Sequence, residues 1–258
     1  MSEKVTIFVG MRTSADRKLI EKTYLSRKPR ISSLWPAAWA IAAMMVLQIV
    51  FDQNWGGLAH WLTATPAQVF GQGQVWRLFT TLGVHADLGH FLANAGYFVG
   101  LAFLLNAYFG AWAFPVLAFV GGAAANVGAL WGYDSQIELV GASGVVYFMA
   151  AFWLAQYVAI ETRLTLARRL INAMAFTLVL LMPERFEPHV SYSAHAWGYA
   201  LGAILGGMHA LVRRGEYRAA ERVRVPEPAT DEVDFDLVFG PEGYERLASR
   251  ETVCVACG

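Results

Sequence analysis

Charged residues are scarce in this chain. They make up 16% of its 258 residues, against 56% hydrophobic, and mean hydropathy is +0.40. A soluble domain carries about 25% charge. The deficit argues against a soluble globule, and the apolar residues run in long blocks, as in a membrane protein. Lys and Arg number 20, as do Asp and Glu, so there is no basic excess to suggest a nucleic-acid partner. Cysteine is scarce too. Cys254 and Cys257 form a lone C-x-x-C with neither further zinc ligands nor a thioredoxin-like context, and read as an exposed, reduced pair. Several catalytic signatures are missing. There is no H-E-x-x-H for zinc, and no Gly-x-Gly-Asp beside a second intramembrane aspartate. The G-x-S-x-G elbow of soluble hydrolases needs glycine where Val145 stands.

Long apolar stretches are what the chain has. A membrane helix needs about 20 mostly apolar residues, and six stretches qualify as candidates: 34–52, 88–109, 112–131, 142–160, 168–183 and 194–212. The fifth is short and closes at Pro183. The connection 53–87 is not apolar enough to span. It carries Trp55, His60, Trp61, Phe70, Trp76 and Phe79, a mix suited to the headgroup region.

Lys and Arg set the direction. Lys4, Arg12, Arg17, Lys18, Lys22, Arg27, Lys28 and Arg30 precede the first span. Arg163, Arg168 and Arg169 lie between spans four and five, and Arg213, Arg214 and Arg218 follow span six. The other side has Arg77 and Arg185 beside Asp134, Glu138, Glu184 and Glu187. Both termini are therefore expected in the cytoplasm. Residues 1–32 read as a basic cytoplasmic segment whose apolar run is too short for a signal-peptide core. Residues 33–213 read as the six-helix domain. Residues 214–258, with DEVDFD at 231–236, read as an acidic flexible tail. No transporter-like inverted repeat is visible. The predicted fold class is an all-α polytopic membrane protein with six transmembrane helices and a long membrane-embedded first loop.

The even-numbered spans all enter from the outer face. Span two opens with His85, His90 and Asn94, span four with Ser143, and span six with His195. These polar groups share one depth, where polar residues face an interior or a water-filled cavity. His90 and Asn94 are four apart and share a helix face. His195 is followed by Gly198, Gly202 and Gly206, a strip that lets a neighbouring backbone approach closely. If that neighbour is span four, Ser143 and His195 can meet at about 2.6–3.2 Å. Tyr147 lies one turn from Ser143 and can pack on the imidazole. Three readings stand here: a packing motif at Gly-Ala-Ser-Gly, a haem or metal site using His85, His90 and His195, and a nucleophile with its base. The coincidence of all these groups at one depth favours the last.

The segments VWRLFTTLGVHADLGHFLAN (75–94), GASGVVY (141–147) and HAWGYALG (195–202) resemble the rhomboid intramembrane serine proteases. The resemblance covers residues 34–212. It implies Ser143 as nucleophile and His195 as general base and acid. It implies an oxyanion site from the Ser143 N–H, His90 and Asn94, with Gly141 and Ala142 in the same substrate-binding surroundings. Supporting roles are implied for Tyr147 against His195, for Trp76 and Arg77 in the first loop, for His85 at the loop-to-helix entry, and for Gly198 and Gly202 in close packing. Gln74 departs from the acidic residue that some relatives carry before the loop arginine. Asp134, Glu138 and Asp87 all lie outside the spans, so a Ser–His dyad without an aspartate is expected. The resemblance implies membrane-protein substrates cut in or near a transmembrane helix, no metal or other cofactor, and a bacterial inner membrane. An inactive rhomboid-like protein that binds transmembrane helices is the alternative.

Overall fold

Six long helices organise the chain: α1 (Trp35–Gln53), α2 (Leu88–Phe109), α3 (Ala118–Trp131), α4 (Ser143–Ile160), α5 (Leu166–Leu181) and α6 (Tyr192–Val212). The computed structural model describes residues 19–181 and 191–224. Pro183, Arg185 and most of the two terminal segments lie outside the described residues. The chain divides into two compact units, Ile20–Val223 and Met1–Leu19 with Arg224–Gly258. The first holds all six helices.

Four segments are long and apolar enough to cross a membrane: Ile31–Gln53, Leu88–Phe109, Trp112–Trp131 and Ser143–Ile160. The other two long helices fall outside that set. α5 has 16 residues, including Arg168, Arg169 and Asn172, and α6 is diluted by Ser193, His195, His209 and glycines. Large apolar side chains such as Trp39, Ile49, Leu92, Val120, Ile171, Leu178 and Ile204 are exposed around the bundle. Lipid accommodates such a surface, and closed helices are one of the few ways to carry a backbone through it. The protein is an all-α polytopic membrane protein.

α4 is the centre of the bundle. Every residue from Ser143 to Phe152 is buried, because α2, α3, α5 and α6 all pack against it. A helix that is apolar all round belongs in such a position. Its closest neighbour is α6. A Cβ added at Gly198 would lie 2.3 Å from the Gly144 carbonyl oxygen, one at Gly202 2.2 Å from that of Phe148, and one at Gly206 2.8 Å from that of Phe152. Three glycines four residues apart thus face three carbonyls four residues apart, and the two backbones touch over successive turns.

The third apolar stretch is not one uniform helix. Residues Trp112–Leu117 form a wide turn in which Phe114 is extended (φ −139°, ψ 125°), and regular α-helix begins at Ala118. Pro115 explains this: it offers no N–H and pushes the preceding residue out of helical geometry. The Asn106 side-chain amide donates to the freed Phe114 carbonyl at 2.9 Å.

The compact unit runs past 33–213 on both sides. Tyr24 donates to the Tyr108 carbonyl at 3.0 Å, and its ring lies 4.9 Å from that of Tyr217 in the short helix Arg214–Ala219. β1 (Leu19–Lys22) and β2 (Arg222–Arg224) form a two-stranded sheet. Between α1 and α2 the long first loop makes short helical turns at Ala59–Leu62 and Arg77–Thr80. Arg77 is buried there. It donates to the carbonyls of His60 and Thr63 and to the Gln74 side chain. The departure at Gln74 therefore leaves a hydrogen bond where an ion pair could stand.

Candidate active site

The segment leading into α4 is clamped peptide by peptide. Leu139 and Ala64 exchange backbone hydrogen bonds of 2.8 and 3.3 Å. The Thr81 hydroxyl donates to the Leu139 carbonyl. The Gly141 N–H donates to the Thr81 carbonyl at 3.0 Å, and the Ala142 N–H donates to His85 Nε2 at 3.1 Å. His85 is itself held by Gln48 of α1. Its N–H donates to Gln48 Oε1 at 2.7 Å, and its carbonyl accepts from Gln48 Nε2 at 3.1 Å. A continuous chain of bonds thus runs from α1 through the first loop to the residue before Ser143.

Ser143 is the first residue of α4, with Ala142 as cap. Its N–H is among those at a helix start that have no intrahelical acceptor. Gly141 has φ +120°, which favours glycine over any L residue. A Cβ there would lie 3.6 Å from His90 Cε1, 3.9 Å from Ser143 Oγ and 4.0 Å from His85 Cδ2. The backbone at Gly141 therefore lies among three of the expected site residues. These bonds fix the role left to the two residues before Ser143. The N–H groups of Gly141 and Ala142 are both engaged, so the two residues wall the site and do not donate into it.

His90 and Asn94 come from the first turns of α2. Asp87 caps that helix, accepting from the His90 N–H at 2.8 Å. Its carboxylate is thus occupied as a helix cap. Asn94 is buried and its Nδ2 donates to the His90 carbonyl at 3.0 Å, which uses one of its two N–H bonds. The rings of His85 and His90 meet edge to face at 5.3 Å. His85 is fully buried, and because its Nε2 accepts, Nδ1 carries the proton. Burial pushes its pKa down to about 3, with His90 adding to the shift and Asp87 opposing it.

His195 lies in the first turn of α6. Ser191 caps the helix, its hydroxyl accepting from the Ala194 N–H at 3.1 Å and paired with the Tyr133 hydroxyl. The imidazole lies flat against Tyr147, with ring centroids 4.2 Å apart and planes 8° apart. Tyr147 donates through its hydroxyl to the Leu180 carbonyl at 3.4 Å, tying the stack to α5. Ser143 and His195 are each 4% exposed. Gly198, one turn beyond His195, abuts Gly144, the residue after Ser143. Asn126 is placed beside Gly144 as well, and donates to the Leu78 carbonyl at 3.0 Å.

The structure therefore gathers Ser143, His195, Tyr147, His85, His90 and Gly141 at one end of the bundle. Gly202 lies farther down α6 and serves helix contact. Trp76 is 46% exposed and stacks on Trp61 at 6.5 Å, outside this group, and Arg77 braces the loop. Thr81, Gln48, Asn126, Ser191 and Tyr133 were not apparent from the sequence. Gln48 and Asn126 carried one signal, being polar residues inside apolar runs. Ser191 carried another, as a cap-type residue just before a helix.

A family model described as Rhomboid domain matches residues 72–211, more than half of the chain. The chain belongs to the rhomboid family. The matched stretch begins in the first loop and ends in α6, so it includes Ser143, His195, Tyr147, His85, His90, Asn94 and Gly141 and leaves α1 with Gln48 outside. The chain is also similar to RHOMBOID-like protein 1 of Arabidopsis thaliana, 26% identical over 140 residues, 54% of this chain. The match spans 36% of that relative's length. The protein is thus a rhomboid-family intramembrane protein.

Proposed function

We propose that this protein is an intramembrane serine endopeptidase that cuts membrane-protein substrates in or near a transmembrane helix. The observation that carries the proposal is the stack of His195 on Tyr147, one turn from Ser143, where α4 and α6 touch backbone to backbone. A serine hydroxyl is too weak an acid to attack an amide unaided and needs an adjacent base. In this reading His195 takes the proton from Ser143 Oγ as the oxygen bonds to the substrate carbonyl carbon. His195 then gives that proton to the leaving amine, and water repeats the sequence on the acyl-enzyme. Ring stacking on Tyr147 limits rotation of the imidazole, a task that an aspartate performs in triads.

The negative charge on the carbonyl oxygen is received by the Ser143 N–H, His90 and the second N–H of Asn94. Loss of one such donor typically costs about 10²–10³ in rate. The amino end of α4 adds a favourable dipole. A substrate helix hides its carbonyls in internal hydrogen bonds and must unwind locally before attack, so helices with small or helix-breaking residues near the cut are preferred. The arginine distribution supports an orientation with both termini cytoplasmic.

The test is labelling of detergent-purified protein with a serine-reactive fluorophosphonate. Wild type is expected to label, and Ser143→Ala and His195→Ala are expected not to. Undiminished labelling of Ser143→Ala refutes the mechanism. A folded wild type that neither labels nor cleaves favours a non-catalytic protein that binds transmembrane helices.

A further inference from the structure

At the end of the α4–α6 pair away from Ser143, a pocket of about 450 Å³ opens, within the ~300–1,000 Å³ typical of small-ligand sites. Its wall is largely apolar and includes small residues, Ala155 and Ala159 of α4 and Gly207 and Ala210 of α6. A Cβ at Gly207 would meet nothing within 4 Å, whereas one at the adjacent Gly206 would strike α4. One glycine closes the helix contact and the next leaves a groove.

Arg214 and Arg218 also line this pocket. They are four apart in the short helix Arg214–Ala219 and so share one face, where like charges repel. Neighbouring arginines are paired: Arg213 with Glu216 and Arg163 with Glu161, each with a 2.7 Å hydrogen bond. Among the described residues Arg214 and Arg218 have no such carboxylate partner. The carboxylate that lines the pocket, Glu221, accepts from the Thr162 hydroxyl at 2.7 Å. Two guanidinium groups to one carboxylate thus give a net positive charge beside an apolar groove at the end of a membrane helix.

We propose that this pocket binds an anionic phospholipid, with the headgroup phosphate on Arg214 and Arg218 and an acyl chain along the α4–α6 groove. Guanidinium matches phosphate geometry with paired hydrogen bonds, and basic pockets between membrane helices hold anionic headgroups. A free anion would make no use of the apolar wall, and a zwitterionic lipid would leave the excess positive charge of the two arginines over Glu221 unbalanced.

The test uses the full-length protein in detergent, with lipid retention read by native mass spectrometry. Phosphatidylglycerol, phosphatidylcholine and glycerol phosphate are the probes. Wild type is expected to retain one phosphatidylglycerol. Arg214→Gln or Arg218→Gln should weaken it about fivefold, and the pair roughly thirtyfold, with phosphatidylcholine unaffected. Gly207→Leu fills the groove and should weaken phosphatidylglycerol about tenfold or more without unfolding the protein. Ser143→Ala should bind as wild type does, which separates this site from the protease reading. Equal phosphatidylglycerol retention by wild type and the double variant overturns the proposal, as does full retention by Gly207→Leu. Competition by glycerol phosphate as strong as by the lipid also overturns it, making the site one for free anions.

Discussion

Replacing Gly202 by alanine adds one methyl group to α6. That methyl would lie 2.2 Å from the carbonyl oxygen of Phe148, 2.9 Å from its carbonyl carbon and 3.0 Å from its Cα. All three are backbone atoms of α4, so no side chain can swing aside. Ordinary contact begins near 3.4 Å, and the two helices must part by roughly 1 Å. Overpacking costs about 1–3 kcal/mol, and a contact that only backbone movement relieves belongs at the upper end. Alanine returns about 1 kcal/mol through its better helix propensity. A net loss of about 2 kcal/mol remains, a fall in Tm of about 4–8 °C for a chain of this size. Gly207→Ala is the control, since nothing lies within 4 Å of its added carbon, and it should melt slightly above wild type. Thermal unfolding in detergent, followed by tryptophan fluorescence, reads both. If Gly202→Ala melts with or above Gly207→Ala, the backbone contact between α4 and α6 is not what the glycine strip provides. Gly198→Ala carries the argument to the site. Its methyl would meet the Gly144 carbonyl at 2.3 Å, beside Ser143, and a 1 Å misplacement there should slow fluorophosphonate labelling by about 100-fold.

Thr81→Val removes the hydroxyl that donates to the buried Leu139 carbonyl. It should cost about 1 kcal/mol and slow Ser143 labelling, and an unchanged unfolding midpoint and labelling rate would show that this clamp is idle. His85 should make stability pH-dependent. Its folded pKa, about 3, lies below the ~6.5 of an unfolded histidine, so the unfolded chain binds the proton first as pH falls. The stability due to this group is complete above pH 6.5 and is lost between 6.5 and 3, by up to about 1.4 kcal/mol per pH unit. Unfolding midpoints between pH 7 and 5 should fall less steeply in His85→Asn, and equal slopes would contradict a buried neutral imidazole.

The helices were legible because a membrane helix announces itself by its own apolar run. α2 occupies 88–109 as read, and the other spans begin within about two residues of expectation, apart from the third. There Pro115 shifts the regular helix to Ala118, a local effect that a count of apolar residues overlooks. The grouping of Ser143 with His195 was legible from helix direction, which sets depth without any contact being known. The clamps were not legible. Gln48 reaches His85 across 37 residues and Ala142 reaches His85 across 57, and no periodicity links such distant positions. The same holds at the amino-terminal side, where Arg27 read as one of many cations. Its guanidinium lies 4.0 Å over the Tyr24 ring and near Tyr108, a partnership that only the fold creates.

A single residue of helical phase separates the two features of α6. Gly198, Gly202 and Gly206 recur every four residues and present α6 to the carbonyls of α4, which brings His195 over Tyr147 beside the start of the same helix. Gly207 is rotated about 100° from Gly206 and faces open space instead. The same choice of small side chains therefore closes the bundle at the serine end and leaves it grooved at the arginine end. Composition cannot distinguish these uses. Spacing can, because a glycine in register with the facing carbonyls is a packing residue and one out of register is a gap. Substituting the two in parallel separates them: bulk at Gly206 should destabilise the helix pair, while bulk at Gly207 should leave the pair intact and exclude only what fills the groove.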